Sequence, residues 1–380
     1  MTGNQPWRVP DRELYERLRA LRAAEADAAV ASIVDVAGSA YRRPGAKLVA
    51  PASGDALGAI TAGCLEGPVA ELAAEARSSR KATVETFDLM GEEWGLGLGC
   101  NGVIDVLVEP LDGSIDPALR ALEDGGTTAV LTVVESDDSA VPIGARAVHT
   151  DAGVETDDDR AALPDDALAE LRDTAETARN AGTSALASVD REAGDLRVFV
   201  DGIEPAPELL LFGAEEDANA VAGFGAEVGF RVTVASPRGG RADAEQFPRA
   251  DRVRATHPTD IDSLVEADGQ TYAVLLSHNL VDDRLALTAL LERTAVPYIG
   301  LMGPRKRFED LREAAAEDGK TFTGAELDRV SAPVGLDLGD GTPTGIAMSI
   351  VSEVLAAANG AGGGRLSERS GPIHRRPGLD

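Results

Sequence analysis

Glu208-Leu209-Leu210-Leu211-Phe212-Gly213 is a nearly unbroken apolar run closed by glycine, and a helical spacing continues from it to Val228. The pattern recurs downstream. Residues 230–235 read as a second apolar strand, 272–276 as a third, 282–293 as a helix and 298–301 as a further strand. Strands that are apolar along their whole length and alternate with helices belong to a parallel sheet covered on both faces. A Rossmann-like α/β domain is therefore expected over residues 205–360. Residues 201–207, with Gly202, Pro205 and Pro207, supply the boundary before it. Residues 361–380, rich in glycine, arginine and proline, are expected to form a mobile or loosely docked tail.

The first half has a different rhythm. Residues 11–26 carry Leu14, Leu18 and Leu21 on one helical side. Short strands are expected at 29–36, 47–50, 58–62, 82–87, 103–108, 127–134 and 196–200, with helices at 68–77 and 161–180. Many short strands with few helices predict a mixed α+β domain over residues 1–204. No internal repeat is visible in the sequence.

Of the 380 residues 43% are hydrophobic and only 4% aromatic, and the formal charge is −29. Lysine occurs only at Lys47, Lys81, Lys306 and Lys320. This balance argues against nucleic acid or an anionic membrane as a general partner. The carboxylates are spread along the chain, as in proteins adapted to molar salt, where the Debye length is about 3 Å. A halophilic setting is the expectation. No run of about 18 apolar residues predicts a membrane helix, and the start has no hydrophobic signal core. Two cysteines in a chain this long do not make a disulfide framework, so a cytoplasmic protein with free thiols is expected.

A dinucleotide fold carries Gly-x-Gly-x-x-Gly after its first strand and an acidic residue after its second. Here the turn reads Gly213-Ala214-Glu215-Glu216-Asp217-Ala218, with Glu215 at the second glycine's place, and the second strand ends Ala235-Ser236-Pro237-Arg238. Carboxylates at Glu215, Glu216 and Asp217 oppose a pyrophosphate and suit the helix dipole without any ligand. Ser236 with Arg238 would suit a 2′-phosphate.

Both cysteines are bracketed by glycine: Thr61-Ala62-Gly63-Cys64-Leu65-Glu66-Gly67 and Gly97-Leu98-Gly99-Cys100-Asn101-Gly102. Glycine neighbours let backbone and ligand approach closely, so each cysteine is a candidate for thiol chemistry. A helix beginning just after Cys64 would favour a thiolate or an anion there. Glu66 would exchange a proton with that thiol or cap the helix. Arg42, Arg43 and Lys47 read either as an anion site or as a solvated basic turn. His278 follows a strand where α/β folds bind ligands, and Gly303 with Arg305 follows another. A structural role is open for each.

Gly38-Ser39 with Arg43-Pro44-Gly45, Gly63-Cys64-Leu65-Glu66-Gly67 and Cys100-Asn101-Gly102 resemble the N-terminal domain of the XdhC/CoxI family of xanthine dehydrogenase accessory proteins. Leu211-Phe212-Gly213, Ser277-His278-Asn279, residues 298–306 and Pro333-Val334-Gly335-Leu336-Asp337 resemble its Rossmann domain, and Gly371-Pro372-Ile373-His374 its tail. The chain departs from the pattern at Glu215 and Ser236, where many members carry glycine and aspartate. The resemblance implies a molybdenum cofactor chaperone that holds the molybdopterin as cargo. In such a role the cofactor is sulfurated with a cysteine desulfurase and delivered to a molybdenum hydroxylase client, a xanthine or carbon monoxide dehydrogenase. It also implies a homodimer.

On this reading Cys64, Glu66 and Cys100 carry the chemistry and Cys64 meets the metal. Arg42, Arg43, Gly63, Gly213, His278, Gly303 and Arg305 bind the cofactor. Two rivals remain, an NAD(P)-dependent oxidoreductase using the α/β domain and a structural component of a hydroxylase.

Overall fold

The computed structural model describes residues 9–89, 102–157 and 160–370. They fall into two compact units that divide between Pro205 and Ala206. Cys100 and residues 371–380 of the expected tail lie outside the described residues.

The first unit runs α1 (Asp11–Ala23), β1 (Ala28–Gly38), β2 (Lys47–Pro51), β3 (Leu57–Gly58), α2 (Glu66–Ser79), β4 (Thr83–Asp88) and β5 (Gly102–Pro110). It continues with α3 (Asp116–Glu123), β6 (Thr128–Ser136), β7 (Arg146–Thr150), β8 (Gly153–Glu155), α4 (Asp165–Ala181), β9 (Ser184–Val189) and β10 (Leu196–Ile203). The strands form two antiparallel five-stranded sheets, ordered β3-β2-β1-β5-β4 and β8-β7-β6-β10-β9. The mixed α+β expectation holds, and the structure adds what the sequence concealed: one topology occurs twice. Each copy is helix, three strands, helix, two strands, joined in the same order.

The registers coincide as well. Ser32 stands opposite Lys47 and Val30 opposite Glu109 in the first sheet. Thr132 stands opposite Arg146 and Val130 opposite Asp201 in the second. Both central strands also slip register at the same place, at Val34 in β1 and at Val134 in β6. An extra residue at a bulge turns the strand and increases its twist.

One face of each sheet is covered by its own helix. Ala29, Ala31 and Ile33 pack on Val69, Ala73 and Ala76 of α2, and Ala129, Leu131 and Val133 on Ala167, Leu171 and Ala175 of α4. The other faces meet each other, and Val34 and Leu107 pack with Val134 and Phe199. The central strands are therefore buried on both sides, which is why β1 and β6 read as apolar runs although their sheets are antiparallel.

Charged groups are buried beside this apolar contact. Lys47 of the first copy pairs with Asp201 of the second. Arg146 of the second copy reaches Glu109 of the first, with Nη2 at 2.6 and 2.8 Å from its two oxygens. The four positions are equivalent in the two copies, so the ion pairs cross. Asp201 also accepts from the Ser184 hydroxyl at 2.7 Å. Arg160 supports Glu109 at 2.9 Å and Asp112 at 2.7 Å. Burial is the largest single influence on the Lys47 pKa and would lower it, but the charge and hydrogen bond of Asp201, with Tyr15 and Asp11, together outweigh it, so the pKa is raised and the ammonium is secure.

The second unit runs β11 (Glu208–Phe212), α5 (Glu216–Glu227), β12 (Arg231–Ser236), β13 (Arg252–Ala255), β14 (Thr271–Leu275), α6 (Leu280–Arg293) and β15 (Tyr298–Leu301). It closes with α7 (Arg305–Glu317), α8 (Gly324–Leu327), β16 (Val330–Ser331) and α9 (Pro343–Ala358). Its six strands are parallel in the order β13-β12-β11-β14-β15-β16, the doubly wound order of dinucleotide folds. Leu209 and Leu211 pack on α5 and α9, while Leu210 and Phe212 pack on α6. The Rossmann-like expectation holds. Among the described residues no helix is long and apolar enough to cross a membrane.

Removing one member of a buried ion pair strands the other charge, at a cost of about 3–5 kcal/mol. Asp201→Ala should therefore destabilise the protein by that order in urea denaturation. The paired change Lys47→Met with Asp201→Leu should recover most of the loss.

His149 on β7 gives a pH dependence. Its Nδ1 is buried without a hydrogen-bond partner among the described residues. Burial, and then the nearby Arg179 charge, lower its pKa below the ordinary 6.5. The fold thus favours the neutral ring. The stability it supports is complete above pH 6.5 and is lost as the pH falls toward and through the lowered value. Thermal unfolding of His149→Phe should show a smaller fall in Tm between pH 7 and pH 5 than the parent.

Candidate functional site

The chain between β3 and α2 holds Cys64. A strand is expected at 58–62, but pairing stops at Gly58, whose φ is +92°. Beyond it Thr61 is buried and acts as the hub of a turn. Its Oγ1 accepts the N–H of Cys64 and of Leu65, each at 3.2 Å, and donates to Glu66 Oε2 at 2.8 Å. Glu66 Oε2 also accepts the Leu65 N–H at 3.1 Å, and Oε1 the Thr61 N–H at 3.3 Å. Glu66, the first residue of α2, thus folds back on its own turn, where a carboxylate suits the helix dipole.

This clamp fixes the Cys64 backbone two residues before α2. Cys64 itself is half-buried against the core that contains Ile33, Leu65 and Val69. Gly63 adopts φ +114°, a left-handed conformation that favours glycine. A Cβ added at Gly63 or Gly67 would meet nothing within 4 Å, so both flanks of the turn are open.

The loop 39–46 borders the same core through Ala40. Arg42 lies 3.8 Å from Asp11, and Arg43 is exposed. Lys47 does not join them, because it turns inward to Asp201. The cations of this loop are therefore the two arginines.

In the second unit, Gly213, His278, Gly303 and Arg305 follow β11, β14 and β15 and so share the carboxyl edge of three adjacent strands. His278 adopts φ +56°, which is uncommon for a residue other than glycine. Its Nε2 lies 2.8 Å from Asp217 Oδ2 in the first turn of α5. The residues on either side of His278 are pinned. Ser277 donates its N–H at 3.2 Å and its hydroxyl to Asp283, while the Asn279 side chain accepts from Val281 and Asp282 and caps α6. Asp283 is 1% exposed and pairs with Arg307 at 2.6 Å. Gly303 has φ +117°, and a Cβ there would meet Arg307 Cδ at 2.5 Å. Arg305 begins α7 and is exposed.

Sequence reasoning took Asp217 only for a helix-dipole carboxylate and missed Asp283, Arg307 and Arg241, the last being the partner of Glu215. Asp217 and His278 are 61 residues apart, so no spacing signal could have linked them. Among the described residues no group of three or more His, Cys, Asp or Glu could hold a metal ion.

Comparison with known proteins places this geometry. A model described as the XdhC and CoxI family matches residues 21–88, and one described as the XdhC Rossmann domain matches residues 209–354. The chain belongs to the XdhC and CoxI family. It is 27% identical over 346 residues to a protein of Bacillus subtilis (strain 168) named as a probable xanthine dehydrogenase subunit, covering 90% of this chain and 96% of that protein. It is 29% identical over 182 residues to the "Uncharacterized protein YqeB" of Escherichia coli (strain K12), covering 47% of this chain and 32% of that one. A crystal structure of a xanthine dehydrogenase from Bacillus halodurans superposes with a TM-score of 0.74 at 24% identity, over 93% of this chain and 96% of that chain. That likeness establishes the fold.

Thr61→Val should loosen the turn that carries Cys64. Lost hydrogen bonds to a charged acceptor and to two amides should cost about 1–3 kcal/mol. In a Cys100→Ser background, the thiol reagent DTNB should modify Cys64 faster in the Thr61→Val protein than in its parent.

Proposed function

We propose that the protein is an accessory factor of a molybdenum hydroxylase of the xanthine or carbon monoxide dehydrogenase type. Its cargo is the molybdenum cofactor, which it holds while a cysteine desulfurase supplies the terminal sulfur, and which it then passes to the client enzyme. The observation that carries this reading is the Cys64 turn. It lies within the segment matched by the XdhC and CoxI family, its backbone is clamped by Thr61 and Glu66, and both flanking glycines leave open space. The similarity along nearly the whole length of a protein named for xanthine dehydrogenase supports the choice of client.

The residues suit such a cargo chemically. Cysteine sulfur, such as that of the half-buried Cys64, is a soft ligand of the kind molybdenum accepts. No protein cage of several ligands is required, since the cofactor brings its own dithiolene and the protein need add one contact. Arg42 and Arg43 supply positive charge for a phosphate in an otherwise acidic chain. Glu66, already bonded to its own turn, orients the Cys64 loop. Cys100 is proposed as a second thiol in the same task, and a homodimer as the working state.

The protein, Cys64→Ala and Cys100→Ala should each be purified from cells that make the cofactor, and the retained molybdenum and pterin measured. The parent should retain both in near-equal amounts. Cys64→Ala should lose most of the molybdenum, and Cys100→Ala a smaller part. A parent protein that retains no pterin would refute the reading.

A further inference from the structure

In a doubly wound sheet the ligand crevice opens where the strand order reverses, here between β11 and β14. Dinucleotides lay their pyrophosphate on the helix after the first strand, against the second glycine of the turn, because a missing side chain lets the phosphates reach the amides. The first glycine of that turn is still required. Gly213 has φ +139°, and a Cβ there would meet the Leu276 carbonyl at 2.5 Å.

The second glycine's place is different. Glu215 occupies it as the N-cap of α5, with φ −89° and ψ 173°, a backbone that any residue adopts. Its carboxylate is ion-paired with Arg241, from the turn after β12. Because β12 is the neighbour of β11, this pair bridges the side of the crevice on which the adenosine half of a dinucleotide would lie.

We propose that Glu215, held in place by Arg241, is a plug that excludes dinucleotides from a crevice otherwise built for them. The residues around the end of β12 name the class excluded. The run Ser236-Pro237-Arg238-Gly239-Gly240-Arg241 contains two arginines and no acid. A ribose 2′-phosphate would meet guanidinium groups there, whereas a free 2′-hydroxyl would find no carboxylate to accept from it. Removal of the Glu215 side chain therefore opens the crevice to NADP+ in preference to NAD+, and it frees Arg241 for the phosphate.

Calorimetric titration of the full chain with NADP+ and NAD+ tests this on Glu215→Gly, Glu215→Ala and Arg241→Ala, each first verified as folded by circular dichroism and thermal unfolding. Glu215→Gly should bind NADP+ at least about tenfold more tightly than the parent. Glu215→Ala should fall between them, the gain for NAD+ should be smaller, and Arg241→Ala should gain nothing. If Glu215→Gly does not fold, Glu215→Ala decides. The proposal is overturned if the folded Glu215 variants bind NADP+ no better than the parent, or if Arg241→Ala gains as much as they do.

Discussion

Lys47, Asp201, Arg146 and Glu109 are the charges on which the first unit depends. Each copy of the repeated fold contributes one cation and one anion, and each charge finds its counter-charge in the other copy. An apolar contact alone would tolerate sliding of one sheet over the other. Crossed ion pairs in a poorly hydrated interior do not, because any shift leaves charge both buried and unpaired. The pairs therefore fix the register between the sheets, and Val34, Leu107, Val134 and Phe199 pack beside them.

The two copies have diverged in the connection that follows their third strand. In the second copy the connection from β8 to α4 carries Arg160, which bonds Glu109, Asp112 and the carbonyls of Gly144 and Pro110. That connection is a clamp. The corresponding connection of the first copy, between β3 and α2, instead holds Thr61, Cys64 and Glu66. One copy supplies the fixing contacts, and the other keeps an open glycine turn with a thiol.

The second unit was legible because its inner strands are buried on both faces, so Leu209, Leu210, Leu211 and Phe212 announce a parallel sheet. Its edges were not. β13 reads Arg252-Val253-Arg254-Ala255, without apolar continuity, and β16 has two residues. The repeat in the first unit was hidden because position matters there more than identity. Lysine stands at 47 where the other copy has arginine at 146, and glutamate at 109 where it has aspartate at 201, while the loops between differ entirely. Cys64 stood out by its scarcity and by the glycines on either side of it. The Asp217–His278 contact could not, since it is made by folding two distant turns to one sheet edge, and Lys47 misled because its neighbours in sequence are arginines whereas its partner in space is Asp201.

Asp201 lies 154 residues after Lys47. At synthesis rates of about 5–20 residues per second, the ribosome takes roughly 8–30 s to cover that distance. For that interval the first copy has emerged with a lysine, a glutamate and an exposed sheet face that only the second copy can complete. The native packing of the first unit must therefore wait until β10 has been made. The symmetry that locks the finished protein thus also sets the earliest moment in translation at which its first unit can close.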